Sequence, residues 1–399
     1  MLPRRALETL LSMARGFPVL ALTGPRQSGK TTLARTAFPA LPYVNLEDPD
    51  TRALALADPR RFLQRHAEGA VFDEVQRAPA LMSYLLGMAD AAPAMGRFVL
   101  TGSQQFGRVR QAGPFRAGGD GIGQSLAGRV GLLTLLPLSQ PELAAASDAG
   151  SATLEQRLWR GGYPALHAEH RQPEPAHWFA AYVATYVERD VRQLLNVGNL
   201  LTFQRFLGMC AARSGQLLNL NSLAADCGIS QPTARQWLTV LQASHLVALL
   251  PPYHRNFGKR LVKAPKLYFL DTGLLCYLLR IGSAEDLQVH AARGAVFETW
   301  AVAETLKHRH NLGLAPDLHF WRDNHGLEVD LVFEHAGRLQ GVECKSGTTY
   351  VDEWLDAARR FRRVAGASAA APVLLYGGDA SFERADHRVL GWRDLGAAA

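Results

Sequence analysis

Residues 24–31 read Gly24-Pro25-Arg26-Gln27-Ser28-Gly29-Lys30-Thr31, directly after the apolar run PVLALT and directly before TLARTAF. This is the GxxxxGK[ST] pattern in the context that gives it physical meaning, a strand handing over to a helix through a glycine turn. Glycines let consecutive backbone N–H groups close around phosphate oxygens at a helix N-terminus, where the dipole also favours negative charge. The cradle runs from Gly24 to Thr31, with Thr32 behind it. Lys30 is placed to reach the β- and γ-phosphates of ATP, and the Thr31 hydroxyl to hold Mg²⁺. A chain organised around this unit is α/β at its N-terminus, with buried parallel strands and helices between them.

The runs GAVFDEV, RFVLTGS and GRVGLLTLLPLS fit that scheme, being short and apolar with polar C-terminal ends. They predict a three-layer domain over about 1–145, closed at 150 by the seam AAASDAGSA. Asp73 and Glu74 end the second run. A carboxylate there belongs beside the phosphate loop, Asp73 orienting the metal through water and Glu74 positioning the attacking water. Ser103, at the end of RFVLTGS, is placed to sense the γ-phosphate, with an ordinary strand-end turn as the competing reading. Residues 104–125, with six glycines and three arginines, read as a long mobile loop. Arg129 follows it and is a candidate to reach a neighbouring copy's phosphates, because a guanidinium stabilises charge developing on a phosphoryl group. Arg108, Arg110 and Arg116 compete for that role, and a plain surface arginine is the alternative.

Apolar residues make up 48 % of the 399 and charged residues 20 %, so wholesale disorder is excluded. No apolar stretch approaches the roughly 18 residues of a spanning helix, and the N-terminus MLPRRALETLLSMARG reads as an amphipathic helix without a cleavage site. Four scattered cysteines form no CxxC pair. These features point to a cytoplasmic protein in a reducing compartment, without a membrane. The formal charge of +7 suits a nucleic-acid partner without establishing one.

Residues 223–238 (LAADCGISQPTARQWL) carry helix-turn-helix spacing. Ala224 or Ala225 permits close helix packing and Gly228 makes the turn. Ser230 caps the second helix and Pro232 fits its first turn. Ile229, Ala234, Leu238 and Leu241 form an inner face, leaving Gln231, Thr233, Arg235 and Gln236 for a groove or phosphates. The strand LVALL and the basic run Arg255, Lys259, Arg260, Lys263 and Lys266 read as a wing suited to phosphate contacts. A protein-binding module is the other reading.

A second α/β pattern follows from about 290: a helix (GAVFETWAVAETLKHR), strands LHFWRD, LEVDLVFE and LQGVECKS, a helix EWLDAARRFRRV, and the strand APVLLYGG. Asp330 lies in the second strand. Glu343 and Lys345, two apart, share a face of the third. Two carboxylates and an ammonium converging there suit Mg²⁺ and phosphodiester cleavage, and Glu298 on the preceding helix adds a further ligand. His308 and His310, at i and i+2 on that helix, do not face one another and receive no metal. Gly121-Ile122-Gly123 reads as loop, since no strand leads into it.

GPRQSGKTTL, VFDEVQRAP, FVLTGSQ, SLAGRV with its downstream PLS, GGYPA, TYVERDV and PPYHRNFGKRLVKAPKLYFLDTGLLCYLL occur in this order. Together they resemble a bacterial and archaeal family of AAA-type ATPases with a C-terminal domain related to PD-(D/E)XK nucleases. The helix-Glu, strand-Asp, strand-ExK order resembles the core of those nucleases, whether still active or kept only to hold DNA or a partner. The resemblance implies an AAA+ domain (1–150), a helical lid (151–215), a winged-helix domain (216–288) and a nuclease-like domain (289–399). It also implies assembly as a homo-oligomer, a hexameric ring in one form. The function expected is an ATP-driven motor or remodeller acting on duplex or branched DNA. The alternative is an ATP-switched signalling or scaffold protein that binds protein partners.

Overall fold

The computed structural model describes residues 2–91, 94–103, 128–146, 152–168, 173–187, 200–253, 263–323 and 325–397. The glycine-rich segment with Arg108, Arg110, Arg116 and Gly121–Gly123 lies outside them, as do Arg255, Lys259, Arg260 and most of the 145–153 seam. The chain divides into two compact units.

The first unit runs to Leu138 and includes short segments near residues 239–245 and 310–314. Helix α1 (Ala6–Met13) precedes β1 (Val19–Thr23), and α2 (Lys30–Ala37) follows the glycine turn. Then come β2 (Tyr43–Asn45), α3 (Pro49–Ala57) and α4 (Pro59–Gln64). Each of these two helices starts at an aspartate whose side chain accepts an N–H three residues on, Asp48 from Thr51 and Asp58 from Arg61. Proline follows each cap at the first helical position, where its missing N–H costs nothing. Strand β3 (Ala70–Asp73), α5 (Leu81–Ala91), β4 (Phe98–Gly102) and β5 (Val130–Thr134) complete the unit.

The five strands are parallel in the order β2-β3-β4-β1-β5. Successive residues of a strand feed opposite layers: Val19, Ala21, Phe72 and Phe98 pack with α4 and α5, while Leu20, Leu22, Val71 and Val99 pack with α1 and α2. That is why these strands read as unbroken apolar runs. The order also sets β1 beside β4, the switch point where an open parallel sheet leaves a crevice at the strands' C-terminal ends.

In the second unit, α6 (Gln140–Ala146) is followed by α7 (Leu154–Arg160), opened by a capping box between Thr153 and Gln156. Helix α8 (Pro175–Tyr182) and α9 (Leu200–Ala211) come next. The GGYP turn after α7 is fixed by the buried Asp271, whose carboxylate accepts from Gly162 N (2.7 Å) and from Leu274 N (2.9 Å). A Cβ on Gly161, at φ +70°, would stand 2.4 Å from Asp271 Oδ1. The GGYP and FLDTG motifs are therefore two halves of one buried joint.

Helices α10 (Leu220–Cys227) and α11 (Gln231–Ala243) are joined at Gly228, which is left-handed at φ 68°. Ser230 Oγ accepts Thr233 N (3.2 Å), so the cap forms where expected. Ala224, Ala234, Leu238 and Leu241 are buried, and Trp237 packs edge-on against Phe203 and Phe206 of α9. Strands β6 (Val247–Leu250) and β7 (Lys266–Phe269) then form an antiparallel pair.

Helices α12 (Thr272–Leu278), α13 (Ala284–Val289) and α14 (Arg293–Asn311) lead into a six-stranded mixed sheet. Its strands are β8 (Leu318–Arg322), β9 (Glu328–His335), β10 (Arg338–Lys345), β11 (Val373–Tyr376), β12 (Phe382–Glu383) and β13 (Arg388–Gly391). Between β10 and β11 lies α15 (Asp356–Ala365), which lays Ala358 and Phe361 on the sheet. From residue 290 to β11 the helix and strand order is the one expected, and β12 and β13 add two strands after APVLLYGG, the last strand the sequence pattern shows. All four cysteines are buried and free. Among the described residues no helix is long and apolar enough to cross a membrane.

Candidate active site

Because the strands of the first unit are parallel, the loops after β1, β3 and β4 meet at one edge. Gly24 turns there at φ +145°, and a Cβ on it would stand 2.0 Å from the Leu135 carbonyl oxygen, so only glycine fits. Gln27 and Gly29 are left-handed at φ 60° and 93°, and α2 starts without a side-chain cap. Its capping residue, Gly29, has no side chain to occupy the first N–H groups, which stand at the anion-favouring end of the helix. Ser28 is fully buried, and its Oγ has no hydrogen-bond partner among the described residues. Arg4 donates to the carbonyls of Ser28 (3.3 Å) and Leu136 (2.7 Å), tying the loop to the chain beyond β5. Nothing local in the sequence singles out Arg4.

Lys30 Nζ folds back to the carbonyls of Gly24 (3.1 Å) and Pro25 (2.8 Å). Burial lowers its pKa to about 8, against the opposing pull of Glu74 and Asp73. Thr31 Oγ1 lies 3.0 Å from each oxygen of Asp73. Asp73 also accepts from Tyr43 OH (2.7 Å) and from Thr101 Oγ1. Burial and then the bond to Asp73 push the Tyr43 phenol well above its ordinary range. Tyr43 escaped the sequence reading because its three-residue strand is too short to show a period.

Burial raises the Glu74 carboxyl above its ordinary value, with Lys30 and Arg26 opposing. Ser103, buried at the end of β4, accepts from Gln76 Nε2 (3.0 Å). Arg26 lies 3.9 Å from Glu47, and Thr32 follows Thr31 on the exposed side of α2. The structure therefore brings Gly24 to Thr31, Asp73, Glu74 and Ser103 to one edge of the sheet. Arg129 is elsewhere: it precedes β5, at the opposite end of the strands, and pairs with Asp90 (3.0 Å). A hydroxyl and a carboxylate side by side suit Mg²⁺, and the unpartnered Ser28 hydroxyl and glycine-only turn suit a bound polyphosphate.

On α11, Arg235 is exposed and Gln231 and Thr233 are half-buried. Lys263 is exposed. Lys266 corrects the reading of the basic run. It is buried on β7, where Nζ reaches Glu298 Oε1 (2.8 Å), Glu328 and, at 4.0 Å, Asp330. It is an internal counter-ion and has no phosphate to meet.

That cluster is the second candidate site. Glu298 (α14), Glu328 and Asp330 (β9) lie with one carboxylate oxygen each within 4.8 Å of one another. Tyr268 OH donates to Glu298 Oε1 (2.5 Å), and Cys344 N to Asp330 Oδ2 (2.8 Å). Glu343 and Lys345 face the same way on β10 and pair with each other. The trio that could share a cation thus has Glu328 where the sequence reading has Glu343. The missed signal was periodicity: Glu328 is two residues before Asp330, on the same strand face. Burial, then Glu298 and Glu343, raise the Asp330 carboxyl well above its ordinary value. Burial pushes Glu343 up to about 7 against the pull of Lys345. Burial alone would lower the Lys266 ammonium, but Glu298, Asp330 and Glu328 together hold it above its ordinary value.

Residues 16–144 match the family described as AAA domain. Residues 151–285 and 293–395 match two domains of unknown function, DUF8612 and DUF4143. The uncharacterized protein Rv2008c of Mycobacterium tuberculosis (strain ATCC 25618 / H37Rv) is 35 % identical over 349 residues, 87 % of this chain and 74 % of that protein. The uncharacterized protein Mb2031c of Mycobacterium bovis matches to the same extent. Among solved structures, the Walker-type ATPase PABY2304 of Pyrococcus abyssi gives a TM-score of 0.45 at 13 % identity, covering 70 % of this chain and 96 % of that one. A STAND protein with a tetratricopeptide repeat sensor, PH0952 of Pyrococcus horikoshii, gives 0.25 at 13 % identity, covering 76 % and 46 %. With its phosphate loop inside a matched AAA domain and one relative aligned over most of both chains, the chain belongs to the family of Rv2008c and Mb2031c and carries an N-terminal P-loop domain of AAA type.

Proposed function

We propose that the chain binds and hydrolyses Mg-ATP and uses the cycle to act on duplex or branched DNA as a ring-forming homo-oligomer, in one form a hexamer. The observation that carries the ATPase part is the convergence of Lys30, Thr31, Asp73 and Glu74 at one sheet edge. In this reading the loop N–H groups hold the phosphates, and Lys30 exchanges the Gly24 and Pro25 carbonyls for phosphate oxygens. Thr31 and Asp73 would hold Mg²⁺, which supplies neutralisation of phosphate charge. Glu74 takes a proton from the water that attacks the γ-phosphorus; its raised carboxyl keeps it a stronger base than an exposed glutamate. DNA enters through Gln231, Thr233 and Arg235 of the helix-turn-helix and through Arg255, Lys259, Arg260 and Lys263. An arginine supplied in trans, Arg129 among the candidates, belongs to the same ring reading.

The C-terminal sheet takes part as a holder of DNA, because Lys266 sits among the acids a nuclease would give to its metal. The nuclease reading of Glu298, Asp330, Glu343 and Lys345 has a direct test. Mg²⁺-dependent cutting that disappears in Lys345→Ala, with ATPase intact, would establish it.

The whole reading is tested by the Mg²⁺-ATPase rate at low salt with no DNA and with single-stranded, duplex or branched DNA, using Lys30→Ala as the blank. A rate that rises with one DNA form and falls steeply with salt is expected. A healthy rate indifferent to all of them replaces DNA by a protein partner, the signalling or scaffold reading.

A further inference from the structure

Glu74 does not stand alone at the end of β3. Its backbone is left-handed, φ 56° and ψ 45°, an uncommon conformation for a residue with a side chain. A tight turn over Val75–Arg77 follows, closed by Arg77 N on the Glu74 carbonyl (2.9 Å). That reversal brings Gln76 back onto the residue two before it. Gln76 Nε2 donates to Glu74 Oε2 and, at 3.0 Å, to Ser103 Oγ. Gln76 Oε1 is buried and has no hydrogen-bond partner among the described residues.

The neighbouring acid is braced from the same strand. Thr101 Oγ1 donates to Asp73 Oδ1 and accepts Glu74 N (3.3 Å). The end of β4 therefore holds both acids, Asp73 directly through Thr101 and Glu74 through Gln76 and Ser103.

We propose that Gln76 is a positioning residue that couples Ser103 to Glu74, its amide setting the Glu74 carboxylate relative to the Ser103 hydroxyl that meets the γ-phosphate. Ser103 Oγ accepts from Gln76 and keeps its own proton for the phosphate, so the Gln76 bond to Glu74 persists with nucleotide in place and fixes the carboxylate that takes a proton from the attacking water. The inference rests on the Mg-ATP reading of this site and adds a residue that positions its base.

The test compares wild type, Gln76→Ala, Ser103→Ala and the double variant in steady-state ATP hydrolysis across pH 5.5–9, with binding of a fluorescent ATP analogue measured in parallel. Gln76→Ala is expected to bind the analogue within about twofold of wild type while kcat falls about tenfold or more, the range general-base effects occupy. The double variant falls little below Gln76→Ala, because both changes cut the same link. A Gln76→Ala enzyme with unchanged kcat overturns the proposal, and so does strict additivity in the double variant. Failure of the ATPase reading looks different: wild type itself then shows no Lys30-dependent hydrolysis.

Discussion

Replacing Lys266 by Met keeps the length and packing of the side chain and removes only its charge. The ammonium is buried on β7 with Glu298, Glu328 and Asp330 around it, all three mostly shielded from solvent. Removing one partner of a buried ion pair leaves uncompensated charge and costs about 3–5 kcal/mol. At roughly 2–4 °C per kcal/mol for a unit of this size, the melting temperature at pH 7 falls by about 6–20 °C. Two further signatures separate this cause from lost packing. The deficit shrinks as pH falls, because Asp330, whose carboxyl burial already holds well above its ordinary value, protonates. Millimolar Mn²⁺ then raises the melting temperature of the variant more than that of wild type, since the trio is spaced to share a cation. Differential scanning fluorimetry at several pH values, with and without Mn²⁺, reads all three. A variant that melts within about 1 °C of wild type at pH 7 would refute the counter-ion assignment, the threshold being well under the shift one kcal/mol produces.

Other outcomes follow from the same charges. Glu343 has its pKa raised in the fold to about 7, so its contribution to stability is present below its unfolded value and is lost as pH rises through about 7. Glu343→Gln should remove up to roughly 3 kcal/mol of that pH dependence, since each tenfold difference in proton affinity between folded and unfolded chain is worth about 1.4 kcal/mol. Urea unfolding at pH 5, 6, 7 and 8 measures it, and an unchanged slope would count against the assignment. Lys30, lowered to about 8 without nucleotide, must be charged to hold phosphate. Above pH 8, ATP binding therefore takes up a proton and weakens by up to about tenfold per pH unit, which calorimetry in buffers of different ionisation enthalpy detects; binding without proton uptake at pH 9 would place the charge elsewhere.

What the sequence disclosed and what it hid divide by physical origin. The phosphate loop, the strand-end acids and the Ser230 cap are properties of contiguous residues. Each is set by residues within a few positions of it, so periodicity and spacing suffice. Tyr43, Arg4 and the Asp271 joint are different. Each acts across more than twenty residues, on a partner chosen by sheet order or by the packing of α7 and α12, and no local pattern encodes that choice.

Lys266 shows why a charge run is a poor guide to a surface. Arg255 through Lys266 look alike in sequence, five basic residues without an acid among them. What separates Lys266 is the register of β6 and β7, which pairs it with Leu250 and makes it the first residue of a fully buried strand. A buried lysine must find carboxylates or lose its proton, and the cluster from α14 and β9 supplies three. The same four residues therefore account for each other: the acids keep Lys266 charged inside the protein, and Lys266 lets three acids stand within one cation's reach. A divalent ion at that site competes with the Lys266 ammonium for the same carboxylates, so metal occupancy and the Lys266 ion pairs are one equilibrium.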